Sequence, residues 1–488
     1  MYFNSYIFVL AFLPIALIGY YFINGRKEYR LGEVWLFVTS MVFIGYLNVV
    51  YALITLLSVG TGYLFLRGVS DKKNSRLLKK TVLISGIVFH LGVLFYFKYY
   101  NFFVENMNQL IKQDFALRDI ILPIGISFYT FQQIAYLVDC YKNPEVKCDL
   151  LEYSVFITFF PKFLQGPILL HEDMLPQLRS ENNKKFSFES FSKGLYAFAL
   201  GLGKKVLLAD NIAQVVNTGY GNIAELNSMS AFLTILAYSL QLYFDFSGYC
   251  DMAVGLGEMF QIRLPLNFNS PYKAVSVIDI WSRWHMTLTR FFTRYIYIPL
   301  GGNRKGEFRM YLNSAVVFLV SGLWHGAAWT FVLWGCLHGV AYICSKFLQR
   351  KKIEFPRIIG WTTTFLFWIF SFAIFRAPSL EEAKLLFTRL LYGGTGRIQA
   401  IFFEAIEHQM ELRILQRLDF MDVLGYFPEF AVILLILIPL LGCICMKNTQ
   451  QKLEQFRFTY SKLWVTVILI FFSIVSFGGM NIFLYVNF

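Results

Sequence analysis

Charge is scarce in this sequence. Asp, Glu, Lys and Arg make up 15% of its 488 residues, against about 25% in an ordinary soluble domain. That deficit excludes a soluble globular chain and leaves the bilayer as the solvent to consider. The seven cysteines are scattered, mostly within apolar runs. Their odd number and lack of spacing exclude a fold supported by disulfides, and Cys443-x-Cys445 alone does not make a metal site. There are six histidines, and no pair has the short spacing of zinc ligands, so no metal is expected. A Gly-x-Ser-x-Gly elbow is missing, which excludes a hydrolase domain built on a nucleophile turn. No short-period repeat, acidic or basic tail, or separate soluble domain is visible.

What fills the chain instead is apolar. Hydrophobic residues account for 57% and aromatic ones for 19%, with mean hydropathy +0.52. Apolar runs recur at the length of about 20 residues that a spanning helix needs. The expected class is an all-α, polytopic integral membrane protein of roughly 10–12 membrane segments. The 53 Phe and 29 Tyr suit lipid-facing surfaces and interfacial belts. Net charge is +13, from 44 Lys and Arg against 31 Asp and Glu. The basic residues cluster between apolar runs, as in Lys72-Lys-Asn-Ser-Arg-Leu-Leu-Lys-Lys80 and Arg350-Lys-Lys352. They read as cytoplasmic loops under the positive-inside rule, not as a nucleic-acid surface. Both termini then face outward. Residues 2–23 lack a basic start and a cleavage site, so they read as a retained helix.

Several breaks are expected. Residues 34–66 are too long for one span and should fold back near Gly45 and Asn48. Pro161 and Pro167 interrupt residues 155–169, which should re-enter the membrane, buried in protein. Residues 275–297 read as one amphipathic helix in or beside the membrane, with Arg283, Arg290 and Arg294 at helical spacing. A break near Gly326 divides residues 312–344. Ser379, followed by Glu381 and Glu382, should start a short amphipathic helix reaching about Leu391. A polar stretch follows, from 393 to 427.

An ionisable side chain at membrane depth marks a site by default. His325 lies in the otherwise apolar run 315–334. A neutral imidazole there can take a proton from a hydroxyl during acyl transfer; the bland alternative is a structural histidine. His285 follows Trp281-Ser-Arg-Trp284 and is a second candidate, to polarise an acyl carbonyl, bind a donor or orient the site. His338 would lie about 220° around an ideal helix from His325, so it reads as structural or lining. His90, His171 and His408 have no supporting pattern. The turn Gly301-Gly-Asn-Arg-Lys-Gly306 could cradle phosphates through backbone N–H groups, Arg304 and Lys305, or be a plain basic turn. Asp245, Asp251 and Asp279 read as partners for the arginines of residues 275–297.

These motifs also carry a family likeness. Trp281-Ser-Arg-Trp-His285, Tyr297-Ile-Pro-Leu-Gly-Gly-Asn-Arg304 and Ser321-Gly-Leu-Trp-His325-Gly326 resemble signatures of the membrane-bound O-acyltransferase family, in its bacterial alginate O-acetyltransferase branch. Further matches are Leu122-Pro-Ile-Gly-Ile-Ser-Phe-Tyr-Thr-Phe131, Phe160-Pro-Lys-Phe-Leu-Gln-Gly-Pro167, Tyr243-Phe-Asp-Phe-Ser-Gly-Tyr-Cys-Asp-Met252 and Ile482-Phe-Leu-Tyr-Val-Asn-Phe488. Ile280 and Ser282 stand where the family usually has Phe and Arg.

The resemblance implies one membrane domain over residues 1–488, its helices around a central tunnel. N-terminal helices would cover 1–119, a catalytic core with both histidine motifs 120–345, and C-terminal helices 346–488. It implies catalysis by His325 with His285, and donor contacts from Trp281, Arg283, Arg304 and Lys305. The donor would be cytoplasmic acetyl-CoA, and the location the bacterial inner (cytoplasmic) membrane. The acceptor would be an extracytoplasmic polysaccharide, reached directly or through a partner acetyltransferase. Two alternatives stand beside this: D-alanyl transfer to teichoic acid from an acyl carrier protein, and transport of lipid or polysaccharide intermediates. The second would call for an inverted repeat, and none is visible.

Overall fold

The computed structural model describes residues 1–407 and 428–477. His408 and the C-terminal aromatic motif 482–488 lie outside the described residues. Among the described residues the regular elements are all helical. They begin with α1 (Leu13–Gly25), α2 (Tyr29–Leu47), α3 (Val49–Ser70), α4 (Arg76–Leu94) and α5 (Tyr100–Ile111). The expected fold-back falls at Asn48, whose side chain caps α3 by accepting from Val50 N at 2.8 Å. A π-helical turn, Phe95–Tyr99, joins α4 to α5 without a break.

The middle of the chain holds α6 (Ile126–Lys142), α7 (Leu150–Thr158), α8 (Phe160–Phe163), α9 (His171–Arg179), α10 (Phe188–Gly203), α11 (Asp210–Gly221) and α12 (Ser228–Met259). The segment expected to re-enter forms α7 and α8, buried in protein as expected. It is capped by Asp149 and Glu152, and residues 153–170 are buried throughout. At 32 residues α12 is about 48 Å long at 1.5 Å per residue, longer than the roughly 30 Å hydrocarbon core. It is the axis of the molecule: two apolar clusters share it, one toward the N-terminal helices and one toward the C-terminal ones, and α6 is divided between them in the same way. Helices α10 and α12 approach through glycines seven apart on each. A Cβ on Gly201 would lie 2.5 Å from Gly248 O, and one on Gly255 2.5 Å from Gly194 O. Small residues at such crossings replace the hydrophobic drive that lipid cannot supply.

The remainder comprises α13 (Val277–Trp281), α14 (Met286–Phe292), α15 (Glu307–His325), α16 (Trp329–Arg350), α17 (Arg357–Arg376), α18 (Leu380–Tyr392), α19 (Ile401–Ile406), α20 (Pro428–Cys445), α21 (Thr449–Glu454) and α22 (Tyr460–Val475). Ser379 caps α18 by accepting from Glu382 N at 3.1 Å, as its sequence predicts. Residues 275–297 do not form one helix. They divide into α13, a turn at Ser282–His285, α14 and a π-helical turn, Thr293–Tyr297.

Seven helices among the described residues are long and apolar enough to cross a membrane, and α20 and α22 are shorter apolar helices. The chain is a multi-pass membrane protein. Ion pairs collect its loops on one face: Arg30–Asp149 at 2.8 Å, Lys72–Glu145 at 2.8 Å and Glu33–Lys184 at 3.0 Å. Gln177 ties residue 263 to the same face, and Asn448 joins through Asn269 at 2.8 Å.

Candidate active site

Helices α15 and α16 form a tight hairpin. A Cβ on Gly335 would lie 2.6 Å from Phe318 O and 3.1 Å from the Gly322 Cα, so the crossing tolerates no side chain there. The close approach interleaves their aromatic rings. His325, the last residue of α15, sits edge-on to Trp334 at 5.1 Å and to Phe375 at 5.3 Å. His338 lies 4.4 Å from Trp334 and receives the Trp281 ring at 5.4 Å. Its Nε2 is 3.0 Å from Ser371 Oγ on α17. The chain breaks at Gly326, so the ideal-helix angle that separated His325 from His338 does not apply: the two occupy facing helices around one indole.

The end of α15 is held from outside. A helix leaves its last carbonyls without internal partners. Here Tyr99 donates to Leu323 O at 2.7 Å, and Lys98 Nζ donates to Trp324 O at 2.7 Å and His325 O at 3.1 Å. Both come from the π-helical turn after α4. A cation is favourable at a helix C-terminus, where the dipole is negative.

His285 reaches the same place from the turn between α13 and α14. Asn267 makes that turn. Its carbonyl accepts from Met286 N at 3.0 Å, and its Oδ1 accepts from Thr287 N at 3.1 Å and Thr287 Oγ1 at 2.9 Å. These bonds replace helix continuation and put His285 at φ 45°, the left-handed region that costs a non-glycine residue about 1–2 kcal/mol. Its ring packs 4.8 Å from Phe246 and 5.9 Å from Trp324. Trp324 in turn lies 5.0 Å from His325. All three histidines are enclosed, at 1% exposure for His285, 4% for His325 and 0% for His338. Lys98, His285 and His338 all lie within electrostatic range of His325.

Two cavities lie along α15, one at its C-terminal end and one along its middle. A small one, about 30 Å³, is lined by His325, Trp324, Lys98, Leu164 and residues 122–128. A larger one, about 270 Å³, runs along Ser314, Val317, Phe318 and Ser321 and is walled by Trp281, Phe292, Tyr297, Tyr342 and Lys346. Ser321 lies four residues before His325, about 6 Å along the helix. A groove of about 860 Å³ shares Ile278 and Ser282 with this cavity and carries Lys352 and Arg357. The small and large cavities share no lining residue. A buried imidazole that lines one cavity about a helical turn from the end of another, in aromatic surroundings that hold water out, suits proton transfer during a group transfer.

Residues 93–380 match the membrane-bound O-acyltransferase family. That span is well over half of the chain and contains every element of the site. The chain belongs to the membrane-bound O-acyltransferase family. It is similar to a peptidoglycan O-acetyltransferase of Helicobacter pylori, 35% identical over 100% of this chain and 97% of the relative. A probable alginate O-acetylase of Pseudomonas aeruginosa is 36% identical over 82% of this chain and 77% of its own length. A teichoic acid D-alanyltransferase of Bacillus subtilis is 27% identical over 52% of this chain and 68% of its own. The likeness lies with the alginate O-acetylase-like branch, and the chain is an O-acyltransferase enzyme.

The residues expected at this acyltransferase's site divide into two groups. His285, His325 and Trp281 come together. Arg283 is drawn aside, paired with Asp279 at 2.7 Å and bonded to Asn269 O at 3.2 Å. Arg304 and Lys305 sit on an exposed turn whose Gly301, Gly302 and Gly306 all have positive φ. That turn touches the large cavity only through Tyr297, which bonds Asn303. The acidic partners also differ in part from expectation. Asp279 pairs with Arg283, but Asp245 and Asp251 pair with Lys205 at 2.7 Å and Lys204 at 2.5 Å. Arg290 and Arg294 instead use Asp173, Glu172 and Asp139. Sequence reasoning missed Asn267, Lys98 and Trp334. Lys98, a charge within an apolar run, met the rule that singled out His325. Asn267 gave no signal, because its partners lie 18–20 residues downstream.

Proposed function

We propose that this enzyme takes acetyl from acetyl-CoA at the cytoplasmic face and delivers it to a hydroxyl of an extracytoplasmic polysaccharide, directly or through a partner acetyltransferase. The observation that carries the reading is the placement of His325 at the end of α15, lining one cavity about a helical turn beyond Ser321, where the larger cavity ends. Lys and Arg cluster in the loops of the face that holds residues 26–30 and 72–80, which by the positive-inside rule is cytoplasmic. The bacterial inner membrane is the location consistent with this. The large cavity then opens toward the donor side, where Lys346, Lys352 and Arg357 supply charge for phosphates.

In the proposed reaction the acceptor hydroxyl attacks the thioester carbonyl and gives its proton to His325. The C–O bond forms, the C–S bond breaks, and the imidazolium returns the proton to the departing thiolate. Trp281, Trp324 and Trp334 keep bulk water from competing. Relatives named for the O-acetylation of peptidoglycan and alginate support a polysaccharide acceptor. D-alanyl transfer from a carrier protein has narrower support, since the D-alanyltransferase relative matches only 52% of this chain. Family membership sets the transporter reading aside.

Purified protein in nanodiscs, given acetyl-CoA and polysaccharide fragments, should release CoA and form an acetyl ester. Release of D-alanine from a charged carrier protein, with acetyl-CoA left intact, would overturn the reading.

A further inference from the structure

A chain of hydrogen bonds behind His285 has its direction set at both ends. Thr287 N–H can only donate, so the Asn267 atom 3.1 Å away is the amide oxygen. The other amide atom, Nδ2, faces Cys250 Sγ at 3.4 Å, which agrees. Ile168 N–H donates to Thr287 Oγ1 at 3.0 Å. The hydroxyl therefore accepts from Ile168 and sends its own hydrogen to Asn267 Oδ1 at 2.9 Å. His285 Nδ1 stands 3.2 Å from that same oxygen. An amide oxygen cannot donate, so the hydrogen between them belongs to Nδ1. Asn267, Thr287 and His285 are all nearly fully buried, so bulk water is not at hand to substitute for a partner. Two backbone N–H groups, from Ile168 after α8 and from the start of α14, thus fix a ring by way of two side chains.

We propose that Asn267 and Thr287 are positioning residues that hold His285 in its Nδ1–H tautomer, so that Nε2 is the nitrogen it offers to the reaction. In a neutral imidazole with Nδ1 protonated, Nε2 carries the lone pair. This rests on the acetyl-transfer reading and narrows it. Neutral His285 cannot donate a hydrogen bond from Nε2 to the acyl oxygen. It can accept one from the entering hydroxyl, turning that hydroxyl's oxygen toward the thioester carbon; the hydroxyl's single hydrogen then swings from Nε2 to His325, which takes it as the C–O bond forms. Of the three roles His285 could have, the geometry selects orientation of the acceptor over polarisation of the carbonyl.

Protein labelled with ¹⁵N-histidine in nanodiscs tests this, with the His285 signals assigned by difference from His285→Gln. The expected result is one-bond ¹H–¹⁵N coupling at Nδ1 and an unprotonated Nε2. Coupling at Nε2 with a bare Nδ1 overturns the proposal whatever the activity shows. Asn267→Leu should turn the signal into a mixture of tautomers and lower kcat by about 10–10²-fold, with KM for acetyl-CoA unchanged, because Asn267 does not line the donor cavity. Thr287→Ser should restore the parent pattern, and Thr287→Val should not. An unaltered tautomer in both Asn267→Leu and Thr287→Val also overturns it. If the tautomer is as expected but His285→Gln transfers acetyl at the parental rate, the tautomer assignment stands and the functional role given to His285 falls.

Discussion

His171 and His325 are both buried against aromatic rings, yet their surroundings assign them different work. His171 stacks on Tyr136 at 4.9 Å, and its Nδ1 is 3.5 Å from Asp139. Asp139 also accepts from Tyr295 at 2.6 Å and pairs with Arg294 at 3.0 Å, while Arg294 reaches Glu172 at 2.6 Å. Each charge there has a counter-charge, and the cluster clamps α6, α9 and the turn after α14 together. Around His325 the groups in electrostatic range are Lys98, His285 and His338, and the walls are Trp and Phe. One histidine stands buried beside an ion-pair clamp. The other lines a cavity, from which in the proposed reaction a substrate hydroxyl gives it a proton. Burial alone does not separate these cases; the charge of the neighbours and the adjoining space do.

The sharpest way to break this contrast is to exchange imidazole for amide at each site. His325→Gln keeps size and hydrogen bonding but cannot accept and return a proton. It should lower acetyl transfer by about 10²–10⁴-fold with expression and thermal midpoint close to the parent. His171→Gln should leave kcat near the parental value. Near-parental turnover in His325→Gln, measured by CoA release, would move the catalytic role to His285. Next in size is Lys98→Met, which leaves the carbonyls of Trp324 and His325 without their cation. A displaced α15 terminus should lower kcat by about 10²-fold without changing KM for the donor, and Lys98→Arg should recover part of it. Equal losses in both variants, with normal folding, would mean that Lys98 does more than hold the helix end.

Why the sequence disclosed some of this and not the rest follows from range. The fold-back at Asn48, the capped start of α18 and the break at Gly326 depend on residues within one or two turns, so local chemistry revealed them. His325 stood out because an imidazole in an apolar run is rare at any range. The turn before α14 is different. Arg283, Arg290 and Arg294 keep helical spacing, and it is Asn267 and Asn269, from another segment, whose bonds hold the turn after Ser282. The partners of Arg290 and Arg294 lie 117–155 residues away, beyond any periodicity. Both errors, the continuous helix and the assignment of Asp245 and Asp251 to its arginines, come from contacts of this kind; the local pair Asp279–Arg283 was legible.

The ion-pair clamp should show itself in stability. Asp139→Asn removes the charge from beside Arg294 and should destabilise by about 1–3 kcal/mol, read as a lower thermal midpoint in detergent with residual activity per folded molecule unchanged. pH gives a second view. Burial holds His171 below the ordinary histidine value, outweighing the pull of Asp139. Protonation therefore favours the unfolded chain, so this contribution is whole above about pH 6.5 and is lost as pH falls below it. His171→Gln should flatten that acid-side decline in the thermal midpoint; an unchanged decline would place its origin in another group.

The smallest effect belongs to the exposed turn. Arg304 and Lys305 were expected to hold donor phosphates, but neither lines the large cavity, which the turn meets through the bonds of Asn303 and Gly302 to Tyr297. Charge pairs in such exposed positions are worth about 0–1 kcal/mol each. Lys346, Lys352 and Arg357, by contrast, line the cavity and groove themselves. If the donor lies in the large cavity, the double change Arg304→Ala and Lys305→Ala should raise KM for acetyl-CoA by about fivefold at most, and less at high salt, where exposed charges are screened. Lys346→Ala or Arg357→Ala should raise it more, with kcat near parental in both cases. Binding contacts made equally in ground and transition states raise KM and leave kcat alone. A larger KM effect from the turn than from Lys346 and Arg357 would relocate the donor phosphates to residues 301–306 and leave the groove for another ligand.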